Sequence, residues 1–104
     1  MTTKTKERAI STKIQTYLRL NGAYVVKYHG NQFSIAGVPD LLVCYKGDFY
    51  GLEIKTDMGK VSRLQEIHAD QIARACGKWY VLRSLEDAYK VFEPLGANVK
   101  GLRR

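Results

Sequence analysis

The hydrophobic residues near the start of the chain recur at the spacing of a helix. They lie three or four positions apart and share one face of a helix over residues 6–20: Ile10, Ile14, Tyr17 and Leu18. The dipeptide Asn21-Gly22 then indicates a helix end, because glycine readily adopts the left-handed conformation in which many helices terminate. The pattern predicts an amphipathic helix followed by a break.

Four later segments are rich in β-branched and aromatic residues, which predicts strands at 23–28, 39–46, 49–56 and 78–83. Two further helices are expected to begin at Ser62 and Ser84, because a serine at either position can cap the backbone N–H groups of the first turn. Ser62 and Gln65 together have the form of a capping box. The helix that starts there is expected to direct four apolar side chains inward: Leu64, Ile67, Ile72 and Ala75.

The order of these elements, α-β-β-β-α-β-α, predicts an α/β fold with a mixed sheet of about four strands and flanking helices. The strand at 78–83 follows a helical crossover, so we expect it to run parallel to its neighbour. The 104 residues fit one domain over residues 1–104. The polar and basic ends, residues 1–5 and 97–104, are expected to be loose.

The second and third strands form a predicted hairpin whose charges need an explanation. Glu53 and Lys55 share one face of their strand, because side chains alternate between faces. A two-residue turn at Gly47-Asp48 would place Asp40 opposite Lys55, and a turn at Lys46-Gly47 would place Asp40 opposite Glu53. Both registers put the three side chains on one face, with opposed Cβ atoms about 5 Å apart. A three-residue loop without a bulge would separate them.

Two carboxylates this close repel each other unless a cation lies between them. Oxygen ligands suit a hard divalent ion such as Mg²⁺ or Mn²⁺, and a neighbouring ammonium group can stabilise anionic charge or help to activate a water. These are the groups that phosphodiester hydrolysis requires. The alternative is structural: Glu53 and Lys55 would be an exposed pair on a solvated face, and Asp40 would begin a turn after Pro39.

Charge favours a polyanionic partner. The chain has 17 Lys and Arg residues against 10 Asp and Glu, a net charge of +7, and such a balance in a small domain is typical of nucleic-acid binding. No apolar run reaches the roughly 18 residues needed to cross a bilayer, and the N-terminus has no secretory signal. Cys44 and Cys76 belong to no metal-binding pair, so we expect reduced thiols in a cytoplasm and no membrane association.

The residues of the hairpin also resemble a known family. Pro39-Asp40 followed by Glu53-Ile54-Lys55 resembles the PD-(D/E)XK nuclease superfamily. The longer frame, which runs from Gly37 through Asp40 and ends at Ser62-x-x-Gln65, is similar to the VRR-NUC family, whose small stand-alone members occur in phages and other mobile elements. The resemblance covers residues 5–83 and implies a restriction-endonuclease-like fold in a bacterial or phage-infected cell.

The resemblance implies a role for each matching residue. Asp40 and Glu53 would bind Mg²⁺ or Mn²⁺, with the backbone carbonyl of Ile54 as a third donor. Lys55 would be the catalytic lysine.

Two further catalytic positions come with the resemblance, and each has a second interpretation from the residues themselves. Glu7 would match the acid on the family's first helix that completes or orients the metal shell, or it could be a first-turn acid favoured by the helix dipole. Gln65 would match a glutamine near the scissile phosphate, or it could serve only the capping box with Ser62. Both roles of Gln65 are compatible.

Basic residues around the site are expected to contact the phosphate backbone. Lys60 and Arg63 are favoured because they flank a helix start, where backbone N–H groups also attract anions. The remaining candidates lie near the N-terminus: Lys4, Lys6 and Arg8.

The sequence therefore predicts a metal-dependent endonuclease that hydrolyses DNA phosphodiester bonds. One site cuts one strand, so cutting of both strands would require a homodimer. The family resemblance further implies selectivity for branched or Holliday-junction DNA. The alternative is a non-catalytic DNA-binding module that retains the nuclease fold.

Overall fold

In the part of the chain that the structure describes, residues 2–30 and 33–99, helices and strands follow one another in the predicted order. This computed structural model contains α1 (Thr3–Leu20), β1 (Tyr24–Lys27), β2 (Leu41–Tyr45), β3 (Asp48–Ile54), α2 (Arg63–Arg74), β4 (Lys78–Leu82), α3 (Leu85–Phe92) and a short 3₁₀ turn (Glu93–Leu95). None of the helices in these ranges is long and apolar enough to cross a membrane.

The strands form one mixed sheet in the order β1-β2-β3-β4. β1 pairs with β2 and β2 with β3 in antiparallel fashion, and β4 runs parallel to β3 with Leu52 opposite Tyr80. The predictions of a mixed sheet and of a parallel strand after the helical crossover are both confirmed.

The hairpin between β2 and β3 adopts the second of the two registers that the sequence allows. Tyr45 pairs with Asp48, so Lys46 and Gly47 form the turn. Both have positive φ, 52° for Lys46 and 88° for Gly47, which is the conformation of a type I′ turn and explains the glycine. Extending the register by one residue beyond β2 places Asp40 opposite Glu53.

The core lies on one face of the sheet, beneath α1 and α3. Alternate residues of β2 and β3 are buried there, among them Leu41, Tyr50 and Leu52. Phe92 of α3 is fully buried and lies with its ring centroid 5.7 Å from that of Tyr45 and 5.0 Å from that of Tyr50. This cluster of aromatic rings joins α3 to the hairpin that carries the charged residues.

The prediction for the inner face of α2 is partly wrong. Leu64 is 50% exposed and Ile67 36% exposed, Ala75 is exposed, and no residue of α2 is fully buried. α2 packs chiefly against β4 and leaves much of that sheet face uncovered. A helix that covers only part of a sheet face buries only part of its apolar stripe.

Some described residues of the two segments that are predicted to be loose belong to a helix or form hydrogen bonds. Thr3 to Thr5 already belong to α1. The backbone N–H of Asn98 donates to Oδ1 of Asn21 at 2.8 Å, and Nδ2 of Asn21 donates to the carbonyl oxygen of Asn98 at 3.1 Å. The rest of that prediction, at residues 1 and 100–104, falls outside the described residues.

Replacement of Phe92 by alanine should lower the free energy of unfolding by about 3–5 kcal/mol, because it leaves a cavity among buried aromatic rings. Urea denaturation followed by circular dichroism measures the change. Lys90→Ala, at an exposed position of the same helix, should change the stability by less than about 0.5 kcal/mol. Equal effects of the two substitutions would contradict this description of the core.

Candidate active site

The charged residues meet where β3 ends and β2 begins, and regular backbone holds them there. Asp40 immediately precedes β2, and its carbonyl oxygen accepts a hydrogen bond from the N–H of Tyr28 at 2.9 Å. Lys55 immediately follows β3, and its N–H donates to the carbonyl oxygen of Leu82 at 3.1 Å. Both residues therefore continue the ladders of the sheet.

The residues before Asp40 bring the chain against α2. Gly37 has φ +90°, and a Cβ atom there would lie 2.6 Å from the carbonyl oxygen of Leu64. Only glycine combines that conformation with so close an approach. Pro39, two residues later, is buried. The segment Gly-Val-Pro-Asp therefore brings the chain against Leu64 in the first turn of α2 and places Asp40 beside the end of β3.

Asp40 is bonded directly to the strand that carries the second acid. Its Oδ2 atom accepts a hydrogen bond from the backbone N–H of Ile54 at 2.8 Å. This contact joins the start of β2 to the end of β3, beside Glu53. It also fixes the orientation of the Asp40 carboxylate.

Glu53 is almost completely buried, with 1% of its surface exposed. Its Oε1 atom accepts a hydrogen bond from Nε2 of Gln65 at 2.9 Å, and its Oε2 atom has no hydrogen-bond partner among the described residues. Burial, followed by the nearby charge of Asp40 and the hydrogen bond that a protonated Glu53 shares with Asp40, raises the pKa of Glu53 to about 8, while the charge of Lys55 acts in the opposite direction.

Gln65 connects this acid to the start of α2. The capping box is present: Oε1 of Gln65 accepts from the N–H of Ser62 at 2.9 Å, and the N–H of Gln65 donates to Oγ of Ser62 at 3.2 Å. The same side chain reaches Glu53 through its amide nitrogen. Gln65 therefore caps the helix and orients the acid together. Its predicted contact with a scissile phosphate stays a prediction.

Lys55 lies beside the acids, close enough for its charge to lower the pKa of Glu53. It is half-buried, and its stem packs against Gly59, where an added Cβ would lie 3.2 Å from Cβ of Lys55. The loop after β3 thus folds back over the lysine.

Sequence reasoning missed Arg83, which holds this loop. Its Nη1 atom donates to the carbonyl oxygens of Thr56 at 2.6 Å and Gly59 at 2.8 Å. The register of β3 with β4, in which Ile54 lies opposite Leu82, brings Arg83 beside Lys55. The sequence alone does not give this register.

A cleft of about 340 Å³ opens beside Asp40, between the first turns of α1 and the ends of the strands; we call it the α1–β1 cleft. The predicted residues Lys4, Glu7 and Arg8 line its α1 side. Its other side includes Ile54 and two residues that the sequence did not assign to the site, Lys27 and His29.

The other predicted phosphate contacts lie elsewhere. Lys6 lines a separate groove with Met58 and Arg83. Arg63 is exposed and forms an ion pair with Glu66 at 3.7 Å, and Lys60 is exposed on the loop before α2. Only two of the five predicted basic contacts, Lys4 and Arg8, therefore share a cleft with Asp40.

The acids of the site offer two carboxylates to a divalent cation. Within residues 2–30 and 33–99, no three His, Cys, Asp or Glu side chains converge as a group that could hold a metal. The convergent pair is Asp40 and Glu53, and Oε2 of Glu53 is a buried oxygen without a hydrogen-bond donor. A buried carboxylate oxygen beside a second, half-buried carboxylate fits Mg²⁺ or Mn²⁺, and backbone carbonyls and waters commonly supply the remaining ligands of such ions.

Comparison with solved structures identifies the fold. A chain described as a VRR_NUC domain matches with a TM-score of 0.71, and the alignment covers 85% of this chain and 95% of that chain at 23% sequence identity. This chain has the VRR_NUC fold. The prediction of a restriction-endonuclease-like, nuclease-type fold is confirmed, and so is the VRR-NUC resemblance at the level of the fold. No family model and no curated protein matches the sequence.

The stability of the metal-free VRR_NUC-fold protein should fall as pH rises from about 4.5 to about 8. The folded state retains the Glu53 proton in this window, whereas the unfolded state, with its ordinary pKa, releases it. The stabilisation from the Glu53 proton is complete at pH values below the pKa of Glu53 in the unfolded chain. It is lost at pH values above the pKa of Glu53 in the folded protein, and the free energy of unfolding falls by at most about 1.4 kcal/mol per pH unit between them.

Urea titrations at several pH values, in the presence of EDTA, measure this dependence. Glu53→Gln removes the titrating group while preserving its shape, so the variant should have a flatter pH profile than the wild type. Parallel profiles for the two proteins would contradict the raised pKa.

Proposed function

We propose that this protein is a metal-dependent endonuclease that hydrolyses DNA phosphodiester bonds. The observation that carries the proposal is the buried Glu53, which lies opposite Asp40 and beside Lys55 and whose Oε2 atom accepts no hydrogen bond from any described residue. A buried acid with a second acid beside it is expected where a cation is to be held. The likeness to a VRR_NUC domain supports the same function.

Asp40 and Glu53 would hold the divalent ion, with the carbonyl oxygen of Ile54 as a third donor. Glu7 lines the same cleft as Asp40 and raises the pKa of Glu53 through its charge. It is not part of a convergent group of three ligands in the described residues, so it would orient the metal shell from the cleft and not complete it. When bound, such an ion lowers the pKa of a coordinated water and offsets charge on the phosphoryl oxygens.

The remaining residues position the reacting groups. The ammonium group of Lys55 would stabilise the negative charge that develops on the phosphate or orient the attacking water. Arg83 keeps that lysine in place by holding the loop over it. Gln65 fixes the Glu53 carboxylate through Oε1 and so leaves Oε2 for the ion.

The finer parts of the proposal come from the family resemblance. They are a preference for branched or Holliday-junction DNA, a homodimer that would cut both strands, and Mg²⁺ or Mn²⁺ as the ion. The basic composition, with a net charge of +7, supports DNA as the partner.

Asp40→Asn and Lys55→Ala should each reduce DNA cleavage by at least about 10²-fold, because each removes a group that acts on the transition state. Both variants should bind DNA nearly as the wild type does. Plasmid nicking with Mn²⁺ and gel-shift binding measure the two properties. The panel should include single-stranded, duplex, flap and four-way-junction DNA.

EDTA should abolish the cleavage by wild-type protein, and nicking that survives chelation would contradict the metal mechanism. If the wild type binds DNA but cuts no form of it with either metal, the protein is a non-catalytic DNA-binding module. A Lys55→Ala variant that cuts DNA at the wild-type rate would show that cleavage does not depend on Lys55.

Gln65→Ala should lower the cleavage rate or the metal affinity by about 10- to 100-fold, as expected for a residue that orients a metal ligand. Ser62→Ala is the matched control, because it removes a partner of the capping box but leaves the contact between Gln65 and Glu53. It should cost about 1 kcal/mol of stability and little activity. Equal losses of activity in the two variants would mean that Gln65 acts only through the cap.

A further inference from the structure

The α1–β1 cleft holds more positive charge than the predicted site requires. Lys4 and Arg8 lie on its α1 side, four residues apart and thus on one face of the helix. Lys27 and His29 lie on the other side, at the end of β1 and just beyond it. Three permanent cations and a histidine therefore surround the two carboxylates of Glu7 and Asp40.

These cations are not neutralised by the acids near them. In the described residues, the ion pairs join Arg63 to Glu66, Arg74 to Asp70 and Lys78 to Asp48, and all of them lie outside the cleft. Cations that served only to balance Glu7 and Asp40 would be expected in direct contact with them. Cations held apart from carboxylates in a cleft are available to an anionic ligand.

Lys27 has a backbone that is fixed in the sheet. It pairs with Leu41 at the end of β1, and the next residue, Tyr28, donates its N–H to the carbonyl oxygen of Asp40 at 2.9 Å. The backbone of Lys27 is thus fixed one step from that of a proposed metal ligand. Its side chain is half-buried, so its stem loses less freedom on binding than a fully exposed lysine would lose.

We propose that Lys27 binds a phosphate of the DNA strand that is cut, and that this strand runs through the α1–β1 cleft. Within the cleft, His29 would flank the DNA strand on the same side as Lys27, and Lys4 and Arg8 would flank it on the α1 side. The proposal rests on the proposed function, because it places the scissile bond at Asp40. It assigns the strand to this cleft and not to the start of α2, where Lys60 and Arg63 are exposed.

The test measures DNA affinity in EDTA, where no cleavage occurs. Fluorescein-labelled duplex and four-way-junction DNA are titrated with wild type, Lys27→Gln and Lys27→Arg, and binding is followed by anisotropy over a range of salt concentrations. Lys27→Gln should bind both DNAs about three- to tenfold more weakly, with a salt slope smaller by about 0.9, the value for one lost phosphate contact. Lys27→Arg should retain the affinity and the slope of the wild type.

Lys90→Gln is the matched control. It removes the same charge from an exposed position of α3, outside the cleft, and should bind within about twofold of the wild type because salt screens distant charges. Thermal denaturation of each variant reports folding. If Lys27→Gln does not fold, Arg8→Gln provides the same measurement from the exposed, opposite side of the cleft.

Uncharged replacements of single phosphates then identify the phosphate that Lys27 contacts. Each phosphate of the duplex is replaced in turn by an uncharged methylphosphonate. At the phosphate that Lys27 contacts, the replacement should weaken the wild type but have little further effect on Lys27→Gln, because the two changes remove one interaction. Identical losses for both proteins at every phosphate, or an unchanged salt slope, would overturn the proposal.

The two proposals fail separately. If the wild type cuts no DNA with Mn²⁺, the proposed endonuclease activity is refuted, and the binding experiment still decides whether Lys27 contacts a phosphate. If the wild type cuts DNA but Lys27→Gln binds DNA as tightly as the wild type, only the proposed path of the DNA strand through the α1–β1 cleft is refuted.

Discussion

The burial of Glu53 is the constraint on which the rest of the site depends. A carboxylate with 1% of its surface exposed is costly to keep ionised, and one hydrogen bond from Gln65 satisfies only one of its two oxygens. The metal-free protein resolves this conflict through the raised pKa of Glu53. A bound divalent ion would resolve it in another way, by giving the second oxygen a partner.

The neighbouring structure keeps this acid in place by polar and steric means as well as by apolar packing. α2 buries none of its residues fully, yet its first turn is fixed at two points. Gly37 permits the backbone to touch Leu64, and Gln65 contacts both Ser62 and Glu53. The stability of the helix start and the orientation of the acid are therefore coupled through one side chain.

The charges divide the site into a buried part and an open part. Glu53 lies in the protein interior, where opposite charge has a strong effect. Asp40 and Glu7 face a cleft whose cations are not paired with them. The cleft thus presents unpaired cations beside carboxylates, and the proposed function assigns the carboxylates to a divalent ion and the cations to DNA.

The sequence alone determined the order of the elements, the mixed sheet and the capping box. These follow from local rules of periodicity, capping and strand alternation, which depend on residues close together in the chain. It left the turn open between two positions and a longer loop that would have separated Asp40 from Glu53 and Lys55, since Lys46 at positive φ is unusual for a residue with a side chain.

Only the tertiary structure decided what depends on distant segments meeting. It placed the amide of Gln65 on Glu53, it brought Arg83 to the loop beside Lys55, and it assembled Lys27 and His29 with the first turns of α1. It also left α2 half-exposed, which an apolar pattern cannot predict because the pattern does not state how much of a sheet face a helix will cover. Contacts between segments far apart in sequence follow from the packing of whole elements, and no local pattern encodes them.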